Sequence, residues 1–115
     1  MVAPAAGKVV LVPFPFSDLS RSKLRPAVVL ADAGRGDWIL CQITSKPYGD
    51  STSIALTDEG FIHGSLKTAS FARPGKVFTA AASLIVNEVG TLKAEVMAQI
   101  IDGIVGMLKP PLSSA

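Results

Sequence analysis

The feature that most constrains this chain is punctuation. Nearly every apolar run before residue 93 is short, and proline, glycine or a polar cluster cuts it off. Residues 9–12 are Val-Val-Leu-Val, followed at once by Pro13 and Pro15. Residues 26–31 read Pro-Ala-Val-Val-Leu-Ala, and residues 38–44 read Trp-Ile-Leu-Cys-Gln-Ile-Thr. Short β-branched and aliphatic runs bounded in this way are strands. The turn Gly34-Arg35-Gly36-Asp37 between the last two predicts a hairpin. Proline has no ladder N–H, so Pro13 and Pro15 either end the first strand's regular pairing or confine it to an edge.

Further along the signals are shorter. Residues 53–56, 65–72, 77–78 and 88–92 read as strands, and residues 17–24, 46–50 and 57–64 as loops. Arg73-Pro74-Gly75-Lys76 reads as a turn, and the Ala-rich stretch 79–84 as a helical turn or two. Residues 93–108 are different. Met97, Ile100, Ile101, Ile104 and Leu108 recur at three- and four-residue steps and give a helix one apolar stripe. Gly103 and Gly106 each cost that helix roughly 1 kcal/mol relative to alanine, and Pro110 and Pro111 stop it. Five to seven short strands and one terminal helix predict a mainly β fold, a small barrel with a C-terminal α-helix packed against it. Closing the sheet on itself removes its exposed edges.

With 115 residues and no internal repeat or linker, the chain reads as a single domain, 1–115, with its core at about 7–109 and frayed tails. Apolar residues make up 49% and charged residues 17%, so either the fold is very compact or an apolar surface meets a partner; a homodimer fits the second. A lone cysteine, Cys41, rules out a disulfide within the chain and fits a reducing compartment. The first residues lack the basic segment and apolar run of a signal peptide, and no apolar stretch nears the ~20 residues of a membrane span, so no membrane and a cytoplasmic location are expected.

Much chemistry is excluded. One histidine, His63, cannot supply a two-histidine acid–base pair within one chain, and it reads as a surface loop residue. No His/Cys cluster has zinc spacing, no carboxylate cage for magnesium is evident, and neither a phosphate-binding glycine loop nor a GxSxG elbow occurs. No metal and no cofactor are expected. Arginine, lysine and hydroxyl groups remain. Arg25 stands where the second strand begins and Thr44 where the third ends. A hairpin turning at 34–37 brings those two ends side by side. An arginine fork beside a hydroxyl suits an oxyanion or phosphate, and Lys46 adds a cation at the same end; a structural salt bridge at Arg25 is the plainer alternative.

The segments 8–16 (KVVLVPFPF), 17–30 (SDLSRSKLRPAVVL), 39–45 (ILCQITS) and 73–78 together resemble the PemK-like branch of the MazF/PemK toxin family, in order and over most of the chain. The resemblance implies an SH3-like barrel, usually a homodimer. It implies the toxin of a type II toxin–antitoxin system, a metal-independent endoribonuclease selective for sequences in single-stranded RNA, held in check by a cognate antitoxin. Residue by residue, the arginine of the RP motif is Arg25 and the hydroxyl of the ITS motif is Thr44, the implied catalytic pair. The implied reaction is attack of the ribose 2′-OH on the adjacent phosphate, leaving a 2′,3′-cyclic phosphate and a 5′-OH. Ser17, Asp18, Lys23, Ser45, Lys46, Arg73 and Lys76 are the expected RNA contacts. Phe14 and Phe16 either stack on bases or belong to a barrel or dimer core. One departure stands out: residues 70–76 lack the Asp that some members carry as general base. Asp18, on the loop leading to Arg25, is the candidate left, and the alternative is a weak or inactive SH3-like module that binds RNA or a protein segment.

Overall fold

The computed structural model describes residues 3–15, 22–47 and 49–109, with the backbone alone for Phe14, Pro15 and Ser22. Seven strands are present: β1 (Lys8–Pro15), β2 (Ser22–Gly34), β3 (Asp37–Thr44), β4 (Ile54–Leu56), β5 (Phe61–Gly64), β6 (Ser70–Ala81) and β7 (Asn87–Leu92). One helix follows, α1 (Ala94–Leu108). The strands form one antiparallel sheet in the order β4-β6-β3-β2-β1-β7-β5. The two outermost strands, β4 and β5, are consecutive in sequence and joined only by Thr57 and a 3-10 turn at Asp58–Gly60, so the sheet curls into a nearly closed barrel. Gly7 ties the wall at one end: its N–H donates to Val29 O at 2.9 Å and its carbonyl accepts Leu92 N–H at 2.8 Å.

The central strands are apolar on both faces. Val9, Val28, Cys41, Ile43, Ala72, Leu92 and Ile100 belong to one buried cluster. Their neighbours in sequence, Val10, Ala27, Val29 and Leu40, join Val12 and Ile85 in a second. Alternate side chains point to opposite faces of a strand, so β1, β2 and β3 each feed both clusters. Helix α1 covers the first cluster. Ile100 is fully buried there, with Val96, Met97 and Ile104 packed alongside. The rest of its stripe is less covered: Ile101 is 38% and Leu108 76% exposed. Gly103 sits where α1 approaches Pro74, and a Cβ there would lie 3.0 Å from the proline ring.

The predicted hairpin forms, with Gly34, Arg35 and Gly36 all at positive φ and Asp32 Oδ1 accepting Gly34 N–H at 2.7 Å. Pro13 and Pro15 lie beyond Leu11, the last residue of β1 that pairs with β7, so they occupy a one-sided stretch of the strand.

Other expectations are corrected. Ser22, Lys23 and Leu24 belong to β2, because pairing with Pro13–Pro15 of β1 extends the strand past its apolar run. Residues 61–64, expected in a loop, form β5 against β7, anchored by buried Phe61. His63 is therefore a strand residue; its Nε2 lies 3.0 Å from Thr91 Oγ1. Residues 65–69 are not strand, and the expected turn at 73–76 lies inside β6, where the ladder to β3 skips from Cys41↔Val77 to Ile43↔Ala72. Helical geometry in 79–84 is confined to Ala82–Leu84. Of the expected tails, residues 3–6 are anchored in part, since Lys8 donates from its backbone to Ala5 O (3.1 Å) and from Nζ to Ala3 O (3.0 Å).

Candidate functional site

The candidate site lies at the open end of the β2–β3 hairpin. The ladder runs from Gly34↔Asp37 to Ala27↔Gln42. Arg25 and Thr44 each stand two residues further along their strands, so the same register carried on sets them opposite one another. Their faces also agree. β2 pairs with β1 without a shift from Val28 to Ser22, so Arg25 and Lys23 share the face of Ala27 in the second cluster. Cys41 and Ile43 lie in the first cluster and Leu40 in the second, so Thr44 shares Leu40's face. Lys23 and Arg25 are exposed and Thr44 is half-buried.

The Thr44 hydroxyl is engaged locally. It accepts the Lys46 N–H at 3.1 Å and lies 3.2 Å from Lys46 O, to which it donates. This fixes Thr44 Oγ1 and turns the chain so that Ser45 and Lys46 emerge exposed just beyond β3. On the other side of β3, Thr44 pairs with Phe71 of β6. Two residues on is Arg73, whose Nε donates to Asp50 Oδ2 at 3.0 Å. Lys76 is exposed in the same irregular part of β6. Ser17, Asp18 and Phe16 lie outside the described residues, as does Tyr48.

The sequence reading missed Asp50. Its Oδ1 accepts the Thr52 N–H (2.9 Å) and the Thr52 hydroxyl (2.5 Å), while Oδ2 takes Arg73. These bonds, led by that of the Thr52 hydroxyl, hold the Asp50 carboxyl below the usual carboxylate range. An Asp two residues before a Thr is an Asx-turn signal, but nothing in sequence links Asp50 to Arg73 23 residues away. Beneath the site, the Cys41 thiol donates to Arg73 O at 3.1 Å, and burial pushes that thiol up to about 11. It stays neutral and is no nucleophile at ordinary pH.

Among the described residues, no three His, Cys, Asp or Glu side chains converge as a metal site, and no helix is long and apolar enough to cross a membrane. The register gathers exposed Lys23, Arg25 and Lys46 and tethered Arg73 at the end of the sheet that carries one oriented hydroxyl, which suits binding an anionic ester.

The chain is thus a small, nearly closed barrel of seven antiparallel strands with a C-terminal helix, carrying basic and hydroxyl groups at one hairpin end. The chain belongs to the PemK-like, MazF-like toxins of type II toxin–antitoxin systems, whose family model matches residues 5–108. Solved structures agree on the fold. An endoribonuclease from a mycobacterial species, in complex with its cognate antitoxin, superposes with a TM-score of 0.73 at 15% identity, over 95% of this chain and 98% of that one. MazF from Deinococcus radiodurans gives 0.72 at 21% identity, over 94% and 98%. The Mycobacterium tuberculosis toxin MazF-mt6 gives 0.68 at 16% identity, over 88% and 95%. No curated protein matches the sequence.

Proposed function

We propose that this chain is the toxin of a toxin–antitoxin pair and acts as a metal-independent endoribonuclease on single-stranded RNA. The observation that carries the reading is Arg25 and Thr44 on one face of neighbouring strands, each two residues beyond the Ala27↔Gln42 pair. In this reading the ribose 2′-OH attacks the adjacent phosphate and the products carry a 2′,3′-cyclic phosphate and a 5′-OH. Arg25 stabilises the charge that builds on the phosphorane; a permanent cation suits that role and not that of a base. Thr44 holds the phosphate or orients the 2′-OH. Lys23, Ser45, Lys46, Arg73 and Lys76 flank the path of the RNA backbone, with Ser17 and Asp18 assigned to the same path from the sequence. Dependence on the 2′-OH accounts for RNA over DNA.

The mycobacterial endoribonuclease above is complexed with its cognate antitoxin, and a MazE–MazF complex from D. radiodurans is a second fold relative. By analogy, this toxin has a cognate antitoxin; its family resemblance and apolar composition add a homodimer, working in the cytoplasm. Half-exposed Val77, Val105 and Met107 are among the apolar side chains available for a partner.

The test is incubation of the antitoxin-free protein with a long single-stranded RNA in excess EDTA, beside Arg25→Ala. Discrete fragments with 5′-OH ends from the wild type alone are expected. Folded wild type that leaves the RNA intact overturns the reading in favour of a binding module.

A further inference from the structure

The segment between β3 and β4 carries Ser45 and Lys46 into the site, and its far half is held by the backbone and side chain of one residue, Asp50. Asp50 N–H donates to Pro47 O at 3.0 Å, and Asp50 O accepts Ser53 N–H at 3.2 Å. Its carboxylate spans outward in two directions, Oδ1 to Thr52 and Oδ2 to Arg73. Both members of the ion pair are largely covered, with side-chain exposures of 23% for Arg73 and 17% for Asp50. The near half of the segment is held separately, by the Thr44–Lys46 bonds. Arg73 is likewise held twice, by its carbonyl to Cys41 and its guanidinium to Asp50.

A carboxylate is the wrong charge for an RNA site, and one beside a phosphate-binding arginine weakens attraction at a distance. Its geometric effect is opposite. A guanidinium whose Nε is engaged has its remaining N–H groups aimed in one direction, which an untethered arginine lacks. We propose that Asp50 is a positioning residue of the ribonuclease site, fixing the Arg73 guanidinium and the turn at 50–53 in the geometry that engages the scissile phosphate. This rests on the ribonuclease reading above.

Charge and positioning predict opposite signs for Asp50→Asn. Removing a negative charge favours RNA binding and leaves the rate constant alone or raises it. Losing the tether lowers kcat, by about tenfold or more, since small misplacements near a reacting group cost up to ~100-fold. The experiment measures kcat and KM on a single-stranded RNA for wild type, Asp50→Asn, Asp50→Glu, Arg73→Lys and the Asp50→Asn/Arg73→Lys double variant. Affinity for a 2′-O-methyl oligonucleotide is measured alongside, and folding is checked by thermal unfolding. The expected pattern is a fall in kcat for Asp50→Asn with KM and oligonucleotide affinity little changed, and partial recovery in Asp50→Glu. The double variant is expected to be no slower than Arg73→Lys alone. Should Asp50→Asn not fold, Thr52→Val, which removes the hydroxyl bond to Oδ1, takes its place with a smaller expected fall. Wild-type kcat in whichever of these folds, or losses that multiply in the double variant, overturns the positioning role and leaves the ribonuclease reading standing. A wild type inert toward RNA overturns both.

Discussion

The thiol of Cys41 donates to the backbone carbonyl of Arg73 across the one stretch where β3 and β6 fall out of register. Residues 73–76 have no ladder partner on β3 there, and a buried side chain supplies what the ladder omits. Cys41→Val keeps the bulk and removes the donor. It is expected to cost about 1–2 kcal/mol, the penalty of an orphaned carbonyl, read by chemical denaturation. The same geometry makes the native thiol inert: a maleimide at pH 8 should modify Cys41 only as fast as the protein unfolds, and rapid labelling of folded protein contradicts the burial described.

Arginine at position 25 is expected to be irreplaceable by lysine. A point charge on a flexible stem lacks the planar fork, so Arg25→Lys should retain RNA binding yet lose about 100-fold or more in kcat, close to the loss in Arg25→Ala. Retention of most of the rate in Arg25→Lys would reduce the residue to a generic phosphate contact.

Acid should loosen the site before it unfolds the barrel. The Asp50 carboxyl titrates below its usual range in the folded state, chiefly through the Thr52 hydroxyl. Its contribution to stability is therefore complete above the unfolded carboxylate value of about 4 and is lost as pH falls through the lower folded value. Thermal unfolding from pH 6 to pH 2.5 should show wild type converging on Asp50→Asn at the acid end and exceeding it at the neutral end. Parallel curves would mean that the carboxylate's contacts carry no stability.

Two glycines in α1 should respond in different ways to alanine. Nothing lies within 4 Å of a Cβ at position 106, so Gly106→Ala should gain up to about 1 kcal/mol from helix propensity alone. At position 103 the added methyl would stand 3.0 Å from the Pro74 ring, so Gly103→Ala should forfeit that gain or become destabilising. Equal shifts in melting temperature would contradict the close approach of α1 to β6.

Local signals made much of this fold legible. The turn at residues 34–37 announced the hairpin, and the stripe through Met97, Ile100 and Ile104 announced α1, because both depend on neighbours in sequence. What sequence concealed depends on partners far away. β6 passes through Pro74 and Gly75 as one strand because its ladder to β3 bulges around them, where a local reading finds only a turn. β5 has one buried anchor, Phe61, among exposed residues, so its periodicity is invisible until β7 is alongside. A hairpin alone suggests that Arg25 and Thr44 lie near one another, since it brings its two ends together; the two bulges of β2 that set their register have no signal in the sequence. Asp50 was missed because its bond to Arg73 follows from no count.

The register of β2 on β3 has a consequence for how the site tolerates change. A strand with one wet face is locked against slippage, since a one-residue slip turns its apolar set to water. β2 and β3 have no such lock, because Ala27 and Val29 face one core while Val28 faces the other. Their alignment is set instead by the positive-φ run Gly34-Arg35-Gly36, the Asp32 bond to Gly34 and the two bulges of β2, between Val29 and Ala31 and between Asp32 and Gly34. Loss of one bulge residue there would carry Arg25 out of step with Thr44 by about 3.4 Å, a full strand increment. The segment that sets the register of the candidate site thus lies toward the end of the hairpin farthest from it.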